Sequence, residues 1–312
     1  MPPDWTPSWL ALLLALAWDR LLGEPPAALH PVVWMGRAID VALRFAPRAR
    51  PACELAYGAA VASVLPLGCA LLGAVVLSLA SRAPLLRLVV ETFLLKSAFA
   101  LRALGAAAGD VRDPLRAGDL PAARRALKSL CSRDAAALDA ELVAAAAVES
   151  VAENASDSFV APIVFYALLG LPGALFYRMV NTLDARIGYR DRYEWLGKPA
   201  ARLDDLLNLV PARLTAVLLL VAGALSGFDA GRARAVRRRD ARRTASPNAG
   251  HPMAVMAGLL GVALEKPGFY RLGDADRRVA PETIDEAWRL TRVAAVAMVL
   301  VALAAIALRD AL

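Results

Sequence analysis

Long runs without charge, rather than alternating positions, dominate this chain. Residues 57–80 carry no ionisable side chain except Tyr57 and Cys69, and as a helix they are long enough to cross the roughly 30 Å hydrocarbon core of a bilayer. Residues 159–177 are also uncharged but are interrupted by Pro162, Gly170, Pro172 and Gly173. Residues 209–226 hold a single charge, Arg213 in the first turn, and residues 294–308 form a shorter run near the end. Residues 5–22 make a first apolar run closed by Asp19, Arg20 and the turn signal Gly23-Glu24-Pro25-Pro26. Only Asp4 precedes that run, whereas a secretory signal carries a positive n-region, so it reads as a retained first membrane helix.

Two further stretches are ambiguous by the same test. In residues 84–104, eleven Leu, Val and Phe favour insertion, while Glu91 and Lys96 oppose it at roughly 2.5–3.5 kcal/mol each. The sum is close to zero, which predicts a helix packed against others. Residues 251–264 are too short to span and suit a buried or re-entrant helix. The intervening segments are polar. Residues 105–158 read as an Ala-rich helical excursion in which Gly118-Asp119-Leu120-Pro121 starts a helix. Residues 178–208 read as a functional loop, and residues 227–250 as a loop holding seven arginines. The arginine run fits a positive-inside anchor better than a polyphosphate site. The expected fold class is all-α, a single polytopic membrane domain with four to six spanning or re-entrant helices.

Composition agrees with that reading. The chain has 312 residues, 58% of them hydrophobic, with a mean hydropathy of +0.49, against roughly 45–50% apolar residues in soluble domains. A net charge of +7 with only 6% aromatics suits an anionic membrane surface and argues against nucleic acid as a partner. Cys53, Cys69 and Cys131 are scattered and form no C-x-x-C pair, so neither a disulfide framework nor a thiolate zinc site is indicated.

Polar groups cluster at both ends of the broken run. Glu149, Glu153 and Asp157 are spaced i, i+4, i+8 and share one face of a regular helix. Such a row is either a solvated acidic face or, beside Asn154 and Ser156, a place for Mg²⁺, which takes one or two carboxylates plus substrate phosphates. Asn181, Asp184 and Arg186 follow the run, with Arg190 and Arg192 beyond. Arginine forks match phosphate and carboxylate oxygens, although juxtamembrane Asp–Arg pairing explains the same residues. Asp204, Asp205 and Asn208 precede a membrane helix with Arg213 in its first turn, a setting for an anion with metal-type oxygens or for simple capping. The two histidines, His30 and His251, both precede proline. Each is expected at a helix entrance, with capping preferred over a proton-shuttle or corrinoid-contact role.

Taken in order, these blocks resemble one family. Asp19-Arg20-Leu21-Leu22-Gly23-Glu24-Pro25, then His30-Pro31 and Met35-Gly36, is similar to the opening of the CobD/CbiB family of cobalamin biosynthesis proteins. Glu149-Ser150-Val151-Ala152-Glu153-Asn154, Asn181-Thr182-Leu183-Asp184, Ile187-Gly188-Tyr189, Ala201-Arg202-Leu203-Asp204-Asp205, residues 208–213 and Asn248-Ala249-Gly250-His251-Pro252-Met253 resemble its later blocks. Typical members often have Ser-Glu-Asn and Gly-Asp-Pro where this chain has Ala-Glu-Asn and Gly-Glu-Pro.

The resemblance implies an adenosylcobinamide-phosphate synthase of the cell membrane, with its active site on the cytoplasmic side. Such an enzyme joins adenosylcobyric acid to (R)-1-amino-2-propanol or its O-phosphate, using ATP and Mg²⁺. Other late cobalamin-pathway membrane enzymes are further expected partners. A carboxylate must be activated before an amine displaces its oxygen, and phosphorylation to an acyl phosphate is the usual route. No Walker A sequence is present. Glu149, Glu153, Asp157, Asp184, Asp204 and Asp205 are the expected metal ligands. Arg186, Arg192 and Arg213 are expected to grip phosphate or carboxylate, Asn154, Asn181 and Asn208 to orient ligand oxygens, and His30 to touch substrate. Glu153, Asp184 and His251 are the expected catalytic groups, His251 as general base. A transporter for a small anionic or corrinoid-related substrate is the alternative, since intramembrane carboxylates in a Pro/Gly-broken span also suit a transport pathway. If 159–177 crosses the bilayer fully, the Glu149 row and the 181–192 segment lie on opposite faces, so a shared site requires this span to be re-entrant or to line a cavity.

Overall fold

The computed structural model describes residues 8–47, 50–189 and 193–311, and they are overwhelmingly helical. In chain order the helices are α1 (Ser8–Leu21), α2 (Pro31–Arg44), α3 (Pro51–Ala80), α4 (Pro84–Ala98), α5 (Leu101–Arg116), α6 (Leu120–Leu127) and α7 (Ala140–Ala155). A π-turn (Ser156–Val160) joins α7 to α8 (Ala161–Ile187). Then come α9 (Lys198–Leu207), α10 (Leu209–Leu225), α11 (Ala230–Asp240), α12 (Gly250–Leu260), a hairpin of β1 (Leu264–Lys266) and β2 (Tyr270–Leu272), and α13 (Pro281–Ala311). The strands pair antiparallel, Glu265 opposite Arg271.

Among the described residues, three stretches are long and apolar enough to cross a membrane: α3, the 48-residue run Ala140–Ile187 and α13. The bent pair α9–α10 passes the test as a fourth. These apolar helices make the chain a membrane protein of all-α class. The first apolar run is helical where it is described, as α1, Ser8–Leu21; residues 5–7 of that run lie outside the described residues.

The chain forms two compact units, one of Met1–Ala100, Ala161–Leu207 and Val301–Leu312, the other of Leu101–Val160 and Asn208–Leu300. In the first unit α4 packs on α1 and α8, as its near-zero insertion balance predicts. Two of its three charges, Glu91 and Lys96, are buried and partnered. Lys96 Nζ lies 3.2 Å from Asp19 and 2.9 Å from Glu24. Glu91 Oε1 lies 2.7 Å from the Tyr166 hydroxyl. Removing one member of such a buried pair costs about 3–5 kcal/mol, because the other charge is left uncompensated.

The expected break in the 159–177 run is present within α8. Gly170 adopts φ 67, ψ −163, a conformation open to glycine, and Pro172 supplies no N–H. Arg309, on the last turn of α13, donates to the carbonyls of Tyr166 and Ala167 at 3.1 and 3.2 Å. The guanidinium thereby serves carbonyls that the interrupted helical ladder leaves short of donors.

Three expectations are corrected, two of them in the second unit. The excursion expected over 105–158 ends before α7, whose residues 143–152 are all buried. The arginine-rich 227–250 segment is largely helical: Asp229 caps α11 by accepting from Arg232 N at 2.8 Å, and alanine and arginine favour helix. The 178–208 segment, in the first unit, is mostly helix as well, with α8 running to Ile187 and α9 opening at Lys198. By contrast, the helix start expected near Asp119 is found, its carboxylate accepting from Ala122 N at 2.9 Å.

Candidate phosphate and carboxylate site

The second unit gathers cations at the head of α12. Gly250 opens that helix so close to the Ala241 carbonyl that a Cβ would collide with it. Gly258 packs on Ala233 in the same way, which presses α12 onto α11. As a result Arg237 Nε lies 3.2 Å from His251 Nδ1 and donates to it. Arg213, on the first turn of α10, donates to Leu209 O at 2.7 Å and Asn248 Oδ1 at 3.1 Å. Arg242 lies near enough to add its charge. Among the described residues no carboxylate pairs with Arg213, Arg237 or Arg242. No side chain caps α12; His251 N–H donates to Asn248 O at 3.0 Å and Pro252 has no N–H, so the positive charge here comes mainly from the arginines.

His251 responds to this field. Burial, and then the charges of Arg213, Arg237 and Arg242, push its pKa down to about 4. The ring is therefore neutral at pH 7 and accepts from Arg237. The capping role preferred for it does not hold, because α12 begins before it at Gly250. A conjugate acid so weak is also poorly matched to deprotonating an ammonium, for which a value near the working pH is best. His251 is better described as a neutral group that orients Arg237. Arg237 itself has its proton affinity lowered by burial and by Arg213.

The acidic row lies on α7 in the same unit. Its regular face runs from Glu149 to Glu153, and the π-turn beginning at Ser156 widens the winding at Asp157. Such π insertions concentrate at functional sites. Asn154, expected to orient a ligand, instead donates to Ser150 O at 2.9 Å and accepts from Ser158 across the turn. α10, which carries Arg213, packs on the π-turn, and α12 packs on α7. Glu149 is 2% exposed and accepts from Arg133 through Oε2. Lys266 and Tyr270, on the hairpin, stand within charge reach of it.

The first unit holds the remaining candidates. Asp184 on α8 and Asp205 on α9 are close enough for their charges to interact. Asn181 Nδ2 lies 3.4 Å from Asp204 Oδ1. Arg202 stands 3.9 Å from Asp205. Arg186 is occupied structurally, donating to Asp40 and, at 2.8 Å, to Gly36 O of α2. His30 caps α2, its Nδ1 accepting from Val32 N at 3.2 Å while Nε2 meets Glu24 at 3.0 Å. Burial opposes ionisation of Glu24, yet hydrogen bonds from His30 and Lys96 hold its pKa below the usual value. Arg192 lies outside the described residues. Asn208, in the second unit, immediately precedes α10 without capping it through its side chain.

Among the described residues no three His, Cys, Asp or Glu stand close enough to cage a metal by themselves. Mg²⁺ does not require that, since one or two carboxylates and phosphate oxygens complete its shell. The Glu153–Asp157 segment supplies such carboxylates, so the donor set fits. Arg133, Lys266, Tyr270, Arg237 and Arg242 were not singled out individually from the sequence. The first three carry no local motif, and the last two are lost among neighbouring arginines.

The family of CobD/Cbib protein matches residues 12–296. The chain belongs to the CobD/CbiB family. It is 41% identical over 277 residues to cobalamin biosynthesis protein CobD of Dehalococcoides mccartyi, covering 88% of this chain and 90% of that one. It is 39% identical over 305 residues to the probable CobD of Methanothermobacter thermautotrophicus (93% and 95% covered). It is 38% identical over 299 residues to CobD of Citrobacter koseri (91% and 93%). No solved structure matches. Of the blocks that CobD/CbiB resemblance picked out, the Glu149, Arg213 and His251 blocks fall in the second unit, and the His30 and Asp184 blocks in the first.

Proposed function

We propose that this protein acts in cobalamin biosynthesis as a membrane ligase that joins adenosylcobyric acid to (R)-1-amino-2-propanol or its O-phosphate. The observation that carries this reading is the uncompensated arginine cluster around neutral His251, in the unit that also bears the Glu149–Glu153–Asp157 row. Cations held without counter-charge at a helix head suit a polyphosphate. ATP would lie with its phosphates on Arg213, Arg237 and the head of α12. Glu153 and Asp157 would hold Mg²⁺, which when bound neutralises charge on the transferring phosphoryl group.

The chemistry then balances. A corrinoid carboxylate oxygen takes the terminal phosphoryl group of ATP and ADP leaves. The free amine attacks the activated carbonyl carbon, the C–O bond breaks, phosphate departs with the electron pair, and the nitrogen loses a proton to a base. The arginines stabilise charge on the phosphoryl oxygens, and the chain's other task is to bring amine and carbonyl together. A site using ATP faces the cytoplasm in a multi-pass inner-membrane protein. Detergent-solubilised protein given ATP, Mg²⁺, a cobyric acid analogue and aminopropanol should release amide product and ADP together. Binding of the corrinoid with no product and no ATP turnover would instead favour a transporter.

A further inference from the structure

Glu149 has more acceptor capacity than this chain uses. Its side chain is buried, one oxygen takes the Arg133 guanidinium, and the other, Oε1, is inaccessible to solvent with no hydrogen-bond partner. A buried carboxyl oxygen left without a donor in this way costs about 1–3 kcal/mol. Within charge reach of it stand Glu153 one turn along α7, the Tyr270 hydroxyl and the ammonium of Lys266. Lys266 lies over the Phe269 ring, 4.8 Å from its centroid. Glu153, Lys266 and Tyr270 are part-exposed, so the group around Glu149 opens towards solvent on that side.

The formal charges of Glu149, Glu153, Arg133 and Lys266 cancel. A divalent cation placed on Oε1 itself would be repelled by Arg133 and Lys266. A primary ammonium fits better, because it carries one charge and three N–H donors. From the bare Oε1 beside Tyr270, we infer that Glu149 and Tyr270 receive the primary ammonium group of a small amine. This rests on the ligase reading and divides the acidic row: Glu149 takes the amine, while Glu153 and Asp157 face the metal-bound phosphates. Glu149, expected from sequence to be a metal ligand, is reassigned.

Calorimetric titration of the full chain in detergent, without ATP, tests the assignment. The probes are 1-amino-2-propanol, its O-phosphate, the N,N,N-trimethyl analogue and Mg²⁺ alone. Wild type should bind a primary amine, and the trimethyl analogue, which has no N–H, should bind at least tenfold more weakly. Glu149→Gln should weaken amine binding tenfold or more, and Tyr270→Phe a few-fold, with ATP affinity unchanged in both. Tyr270→Phe leaves the Arg133–Glu149 pair in place, so it still decides the matter if Glu149→Gln fails to fold. Amine affinity equal in wild type and Tyr270→Phe, no amine binding by wild type, or Mg²⁺ binding that is lost in Glu149→Gln would each overturn the assignment. Amine binding that behaves as expected in a protein making no amide would retain this site and reject the ligase reading.

Discussion

The two His-Pro elements use the same residue types to opposite ends. Around His30 the charges close on one another: His30 meets Glu24, Glu24 meets Lys96, and Lys96 meets Asp19. Around His251 they do not. Arg213, Arg237 and Arg242 surround a ring held neutral, with no carboxylate to answer them among the described residues. Closed charge sets fix helix to helix, here α1 and the α1–α2 turn to α4. Open sets leave electrostatic work for a ligand. The distinction is invisible in the motif and depends on which elements pack nearby.

The largest expected effect breaks the open side. Glu153→Ala should abolish amide formation, by roughly a hundredfold or more as for loss of a transition-state charge contact, while thermal unfolding and membrane insertion stay as in wild type. Wild-type turnover would remove Glu153 from the site. The closed side should fail differently. Lys96→Met leaves Asp19 and Glu24 without their cation and should cost about 3–5 kcal/mol, read as a drop of several degrees in unfolding temperature. If that variant were as stable as wild type and lost only activity, the Lys96 cluster would belong with the open sites.

Smaller effects sharpen the contrast. His30→Ala removes a helix cap and should cost about 1 kcal/mol, whereas His251→Ala removes no cap and should affect ATP affinity more than stability. The imidazole of His251 should titrate near pH 4 by NMR and move towards the ordinary value in Arg237→Gln. The sign follows from its depressed affinity for protons. Between about 6.5 and 4 the unfolded chain takes up a proton that folded His251 refuses, so this residue makes stability decline as pH falls through that window. A midpoint near 6.5 in the wild-type protein would mean that the arginines do not bear on the ring.

Much of the architecture was readable from residue order alone. Uncharged length announced α3 and α10, the Glu91 and Lys96 cost foretold that α4 is packed, and Gly170 with Pro172 marked the break in α8. What escaped was long-range pairing. Nothing local in sequence distinguishes Arg186, tied to Asp40 across 146 positions, from Arg213, which binds no carboxylate among the described residues. Arg133 and Tyr270 join Glu149 only because the β1–β2 hairpin and the loop before α7 fold against that helix. Regular periodicity also gave no sign of the π-turn that holds Asp157, because such a turn leaves no pattern of apolar spacing.

Nucleotide affinity probes the central claim most directly. ATP titrated into the detergent-solubilised protein should bind wild type and Arg186→Ala alike, and the Arg213→Ala, Arg237→Ala double variant at least tenfold more weakly. Equal affinity in the double variant and wild type would contradict a phosphate site at the head of α12.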